Sequence, residues 1–283
     1  MKRVLSAAIG VTALAIAVPA QAADLPIKGP VVAVSAFSWA GCYIGANAGV
    51  IGSAGRISLS PSGDYLLAVN IFSNPANSGP ISNTYSPSDW GGTLGAQVGC
   101  NWQTSPNFIW GFETDLNWSG VNARVNASYP AITLPAFPGT PISPHTENVS
   151  SKLEWFSTFR GRVGWAADRL LIYGTAGLAL ASINTRTSVI FANVPFFIQN
   201  SNFQGSDDRT RVGYAVGTGL EYAFGNNWTF RTEYLFLNFG THAFNSPCIN
   251  AAVGCSPGNF TWATRVRTRD HVVRVALNWR FGG

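Results

Sequence analysis

Eight stretches of this chain alternate apolar with polar or small side chains at a period of two, and no fold other than paired strands accommodates that repeatedly. They run over about 40–51, 90–103, 108–118, 152–166, 170–183, 211–224, 228–238 and 270–281. In 108–118, Trp110, Phe112, Leu116 and Trp118 share one face, and Glu113, Asp115 and Asn117 the other. In 152–166, Leu153, Trp155, Phe159, Val163 and Trp165 oppose Lys152, Glu154, Arg160 and Arg162. In 270–281, Val273, Val275, Leu277, Trp279 and Phe281 oppose Arg274, Asn278 and Arg280.

The connections alternate in length. Residues 104–107, the few around Asp168, and 225–227 are short and turn-like in composition. The other four links, about 52–89, 119–151, 184–210 and 239–269, are long and rich in Ser, Asn, Pro and Gly. Short turns at one end and long loops at the other characterise outer-membrane barrels. The segments also exceed the roughly 9–11 residues a tilted membrane strand needs. An even strand number permits closure, and closure leaves no unpaired edge in lipid. Composition agrees. Only 11% of residues are charged, against about 25% in a soluble domain. Aromatics reach 13%, too many for a disordered chain. A soluble eight-stranded barrel with its apolar face inward is the alternative. It is opposed by the charged face and by Trp102, Trp118, Trp165, Tyr222 and Trp279 near strand ends, where a membrane girdle places them. The expected fold is therefore all-β: an eight-stranded antiparallel up-and-down transmembrane β-barrel with short periplasmic turns and long extracellular loops.

The one long apolar run is N-terminal. Lys2 and Arg3 precede apolar Val4–Val18, Pro19 breaks the run, and Ala20-Gln21-Ala22 fits a small-x-small cleavage site. Residues 1–22 thus read as a cleaved signal peptide, 23–38 as an extended periplasmic tail, and 39–283 as the barrel. The formal charge of +5 falls to +3 without Lys2 and Arg3, and the remaining basic residues are scattered, so no nucleic acid is expected as a partner.

The stretches FSWAGCYIGANAGV (37–50), LEWFSTFRGRVGWAADRLLIYGTAGLA (153–179), RVGYAVGTGLEYAFGNNWTFRTEYLFLNFG (211–240) and VVRVALNWRF (272–281) resemble the small outer-membrane β-barrel proteins of alphaproteobacteria. These are called porin family or opacity-like and have an OmpA-type transmembrane fold. The resemblance covers the signal, all eight strands and the short turns, but not the long loops. It implies an abundant envelope component in contact with outer-membrane lipid and lipopolysaccharide. Within that family a structural, envelope-integrity role stands beside two alternatives: a narrow porin-like channel, and a surface adhesin or haemin-like ligand binder acting through the loops. Two departures are Cys42 and Cys100, where aromatics are usual, and the two glycines after Phe281. The aromatic end of the last strand, Trp279 and Phe281, resembles the signal read by the barrel assembly machinery, and Phe281 is expected to be read despite those glycines. No peptidoglycan-binding domain is expected after residue 281.

The inward faces collect Glu113, Asp115, Glu154, Glu221 and Glu233 with Lys152, Arg160, Arg162, Arg211, Arg231, Arg274 and Arg280. In the narrow lumen of eight strands such charges must pair. Glycines at 45, 49, 95, 99, 213, 217 and 219 leave room for long arginines, and the 225–227 turn sets Glu221 opposite Arg231. The expectation is a polar plug that holds register; the alternative is a gated ion path.

Catalysis would need a base and a nucleophile at one rim. His145 and His242 fall in long loops and read as solvated, and His271 begins the last strand. The chain lacks GxSxG and HExxH, the Gly217-Thr218-Gly219 run is no dinucleotide loop, and no metal-ligand spacing occurs. No catalytic residue, metal or cofactor is assigned. The apolar loop stretches 129–144 and 189–198 are either a binding surface or packing over the barrel mouth. Four cysteines in an exported chain should oxidise. Cys248 and Cys255 lie in the last long loop, while Cys42 and Cys100 lie near the short-turn side, about 30 Å of hydrocarbon away. The possible bonds are thus Cys248–Cys255 and Cys42–Cys100. Matching faces of strands one and two set Ala46 opposite Ala96, Ile44 opposite Val98 and Cys42 opposite Cys100, with two lipid-buried thiols as the alternative.

Overall fold

The alternating stretches become strands, and no α-helix forms among the described residues, which in this computed structural model are 37–62, 81–133, 141–192, 200–250 and 261–282. The strands are β1 (Gly41–Ala54), β2 (Arg56–Ser62), β3 (Asn83–Tyr85), β4 (Ser88–Gln103), β5 (Phe108–Ser119), β6 (Asn122–Tyr129), β7 (Ile132–Thr133), β8 (Pro141–Ile142), β9 (His145–Ala167), β10 (Leu170–Phe191), β11 (Asn202–Ala223), β12 (Trp228–Pro247) and β13 (Thr261–Phe281). Eight of them pair antiparallel in the ring β1-β4-β5-β9-β10-β11-β12-β13, and β1 pairs with β13 to close it. Every strand in the ring has its neighbours nearest in sequence, the up-and-down order that short turns impose. The tightest turn, Asp168-Arg169, has Asp168 at φ 49°, a left-handed conformation that Asp tolerates.

Five strands are longer than the sequence suggests. β9, β10, β11, β12 and β13 have 23, 22, 22, 20 and 21 residues, about twice the length of a crossing. Much of what read as loop is strand. β2 continues β1 after a break at Gly55 and pairs with the far half of β13; β6 continues β5 and pairs with the far half of β9. The ladder is thereby extended past the membrane belt. His145 and His242, expected as solvated loop residues, accordingly sit in strands, and His145 is 4% exposed.

Along the belt the outward face is apolar. Leu94, Val98, Phe112, Leu116, Phe159, Val163, Leu178, Val212, Leu220, Phe230, Val273 and Leu277 are exposed there, and so are the girdle residues Trp102, Trp118, Trp165, Tyr222 and Trp279. The register of β1 on β4 places Ala46 opposite Ala96, Ile44 opposite Val98 and Cys42 opposite Cys100, and the two cysteines form a disulfide. Cys248 is disulfide-bonded as well; Cys255, its expected partner, lies outside the described residues. The signal peptide, most of the tail and the larger part of the 189–198 stretch also lie outside them. Phe37 and Ser38, expected in the tail, instead join the barrel's short-turn end.

One expectation about β9 fails. Its register against β10 shifts between Ser182 and Ile183, so Ser182 faces Trp155, Ile183 faces Leu153, and Glu154 has no partner. One extra residue in a strand exchanges its two faces. Below the bulge Phe156, Thr158, Arg160 and Arg162 point inward; above it Leu153 is buried. Lys152 and Glu154, expected in the lumen, face out and pair with each other at 3.3 Å, with side chains 50% and 41% exposed. A second irregularity lies in β12 between Asn238 and Thr241, where Gly240 adopts φ +75°. The β11–β12 ladder ends there, at Tyr214 opposite Asn238.

Candidate functional site in the barrel lumen

The interior is layered. At the short-turn end Trp39, Ile109, Ala166, Leu171 and Ala223 pack together. Trp39 is fully buried; its backbone N–H donates to Gln103 Oε1 at 2.8 Å and its indole N–H to the Asp168 carbonyl at 2.8 Å. Arg280 closes this end from below. It donates to the carbonyls of Ser38 at 2.6 Å and Ala40 at 2.9 Å, with its guanidinium 4.7 Å from the centre of the Phe37 ring. Arg280 was expected in the charge network. As the last inward residue of β13 it lies beneath it, and among the described residues it makes no ion pair.

Above this floor is a cage of charges. Four acids, Glu113, Asp115, Glu221 and Glu233, meet four arginines, Arg160, Arg162, Arg231 and Arg274, and none of the eight is more than 4% exposed. The set is neutral. Arg160 reaches three carboxylates, Glu113 at 2.5 Å, Asp115 at 2.9 Å and Glu233 at 3.1 Å. Arg274 joins Asp115 at 2.8 Å and Glu233 at 2.5 Å, and Arg162 holds Glu221 at 2.8 Å. Arg231 pairs with Glu113. The backbone register does set Glu221 opposite Arg231, as the turn implies, but their side chains choose other partners across the lumen.

Neutral donors complete the cage. Tyr43 donates to Glu113 at 2.6 Å and receives a bond from Arg162 at 2.8 Å; Tyr173 donates to Glu233 at 2.8 Å. Thr158 donates to Asp115 at 2.9 Å, and Thr229 and Asn278 donate to Glu221 at 2.5 and 3.0 Å. Charged groups out of water cost several kcal/mol each unless their remaining lone pairs and protons are satisfied; these bonds serve the carboxylates, while Arg162 Nε and Arg231 Nε and Nη2 stay buried without a hydrogen-bond partner. Sequence reading missed the tyrosines as cage members. The signal was present: Gly99 and Gly219 do not chiefly clear space for arginine, because a Cβ at either would strike the phenol of Tyr43 or Tyr173.

Over the cage lies an apolar layer built from Ile51, Phe156, Ile183, Leu235, Leu237 and Val272, all at most 2% exposed. Above that again, inside the extended strands, Ile57, Leu59, Val189, Phe191, Phe203 and Trp262 form a further core. Described parts of the loop stretches, Ile132, Val189 and Phe191 among them, pack into this upper core. Arg211, expected in the charge network, stands opposite Ala181 of the apolar layer and pairs with Asp207, not with a cage acid.

The histidines do not assemble a reactive centre. His145 stacks on Tyr129 and Phe191, with ring centres 5.0 and 4.9 Å away, beside Glu147 at 3.4 Å. His242 is 3.5 Å from Asp207, and His271 bonds Tyr234 at 2.7 Å on the outer surface. Among the described residues no three His, Cys, Asp or Glu side chains are grouped to hold a metal ion.

Comparison with known proteins agrees with this architecture. The 31 kDa outer-membrane immunogenic protein of Brucella melitensis is 31% identical over 286 residues, covering 99% of this chain and all of that protein. The 22 kDa outer membrane protein of Rhizobium leguminosarum bv. viciae is 28% identical over 165 residues, 56% of this chain and 61% of that one. Among solved structures, the outer membrane protein OprG of Pseudomonas aeruginosa aligns with 86% of this chain and 97% of its own, at a TM-score of 0.47 and 12% identity. Residues 10–281 match the family described as outer membrane protein beta-barrel domain, so the chain belongs to that family and is a multi-pass β-barrel protein of the outer membrane.

Proposed function

We propose that this protein is a structural element of the outer membrane whose lumen is closed, and not a solute channel. The observation that carries this reading is the neutral cage of four acids and four arginines held between two apolar layers. A conducting pore needs mobile water beside its charges. Here each carboxylate is bonded to an arginine, and Trp39 with Arg280 fills the short-turn mouth. Replacing such a network by apolar residues would often stabilise a protein, so the cage is best understood as fixing which strands meet in which register.

In this reading the short turns face the periplasm and the extended strands stand outside the cell. Residues 1–22 are removed on export, and Trp279 and Phe281 present the aromatic end recognised by the assembly machinery. The upper apolar core absorbs part of the loop hydrophobics, which weakens the case for an apolar ligand surface there. Planar-bilayer recording on the refolded chain tests the reading. Brief, rare openings at most are expected; a steady conductance in every incorporated barrel would overturn it. Cysteine labelling tests orientation independently, with Asn245→Cys modified in intact cells and Asn226→Cys protected.

A further inference from the structure

On the outer surface, just beyond the apolar belt, β13 carries Arg265, Arg267 and Arg269 at alternate positions, all on the outward face. β2 brings Arg56 directly opposite Arg267. Like charges at opposed positions on one face of an antiparallel pair repel, with Cβ atoms only about 5 Å apart. Neighbouring strands offer nothing to neutralise them: Arg269 is opposite Asn238, Arg267 also opposite Thr241, and Arg265 opposite Ala243 and Ser58. Among the described residues none of the four guanidinium groups has a carboxylate within 4.0 Å, and Arg269 Nε is shielded from solvent without a hydrogen-bond partner. Every arginine of the cage, by contrast, has a carboxylate partner, although Arg162 Nε and Arg231 Nε and Nη2 are unbonded too.

A cleft of about 270 Å³ opens at this place, lined by Arg56, Arg267 and Arg269 with Ser86 and Ser88. Its height is set by two residues beneath it. Gly52 pairs with both Trp90 and His271, and Trp90 is 67% exposed, the position of an interfacial tryptophan. Each outward step along a tilted strand climbs roughly 5 Å, so Arg269 and Arg267 stand about 5 and 10 Å above that level. This is where lipid headgroups lie.

We propose that Arg56, Arg267 and Arg269 form a binding site for the phosphate of a phosphorylated glycolipid headgroup in the outer leaflet, with the Ser86 and Ser88 hydroxyls beside it for the sugar. A phosphate offers several acceptor oxygens, which suits convergent guanidinium forks better than any monovalent anion. The inference rests on the orientation proposed above, which the cysteine labelling tests separately.

The test uses the full refolded barrel in phosphatidylcholine vesicles, measuring its urea midpoint and the glycolipid it retains. Bis-phosphorylated lipid A should be retained and should raise the midpoint, whereas dephosphorylated lipid A should do neither. The triple variant Arg56→Gln/Arg267→Gln/Arg269→Gln should bind lipid A at least tenfold more weakly, whereas Arg124→Gln/Arg186→Gln, outward arginines elsewhere on the extension, should bind as wild type. Arg267→Gln supplies a sign change as a second check. In pure phosphatidylcholine it should be more stable than wild type, because the repulsion with Arg56 is gone, and in lipid A vesicles it should gain less than wild type. Should the triple variant fail to fold, Arg267→Lys keeps the charge and should still lose lipid retention by removing the fork. Equal retention by wild type and variants overturns the proposal. So does an equal effect of phosphatidylglycerol, which would show general attraction of anionic lipid, or an equal effect of inorganic phosphate, which would show a free-anion site.

Discussion

Arg160 is the most connected member of the cage, and its replacement by methionine tests the account of the lumen quantitatively. Its guanidinium is fully buried and touches Glu113, Asp115 and Glu233 within 2.5–3.1 Å. Arg160→Met fills similar volume but leaves four acids facing three arginines, one uncompensated negative charge out of water. Breaking a buried ion pair from one side costs about 3–5 kcal/mol. Adding Asp115→Asn removes the surplus. Three one-to-one pairs then remain, Arg274 with Glu233, Arg231 with Glu113 and Arg162 with Glu221. The double variant should therefore recover at least about 2 kcal/mol relative to the sum of the two single changes. Urea unfolding from vesicles, followed by the fluorescence of the ten tryptophans, gives the four stabilities of the cycle. Additive losses, or an Arg160→Met barrel as stable as wild type, would show that charge balance does not hold the lumen together.

Three further outcomes follow from particular contacts. Unreduced peptide mapping should find Cys42 linked to Cys100 and Cys248 to Cys255; alkylated free Cys42 and Cys100 would reject the first bond. Deleting Glu154 removes the bulge and would turn Lys152 toward the apolar layer, so the deletion should cost at least about 3 kcal/mol, while Glu154→Ala, which keeps the extra residue, should cost under about 1 kcal/mol. His242 is held below its ordinary value, first by burial and then by Arg211; Asp207 opposes this but is already engaged by Arg209 and Arg211. A depressed histidine contributes stability that is present above the unfolded value of about 6.5 and lost as pH falls through the folded value. Acidification from about pH 7 to pH 5 should hence lower the amide protection factors over 240–246, with exchange corrected for its intrinsic slowing at acid pH, and His242→Gln should remove that dependence.

How much of this was legible beforehand depended on the range of the interaction. Alternation is local, so the strands, their lipid face and the inward charges Glu113, Arg160, Arg231 and Arg274 could be read directly. Register could be read wherever a face match had one solution, as for Cys42 against Cys100. The bulge at Glu154 left a local trace as well: Trp155 and Phe156 are adjacent apolar residues in a strand that otherwise alternates. Strict alternation through that point sent Lys152 to the wrong face.

The class of fold follows from local pattern, because a period of two with an aromatic face and a charged face has few closed solutions. Which charges pair is set by the closed barrel. Pairing register fixes Cα neighbours, yet an arginine spans a narrow lumen and bonds whichever acid lies across it, so Arg231 reached Glu113 and not Glu221. The same holds for the outer surface. Arg56 and Arg267 are far apart along the chain, and their confrontation exists only because β2 continues β1 against the far half of β13. That continuation extends the β1–β13 pairing, the same contact that closes the ring of eight strands.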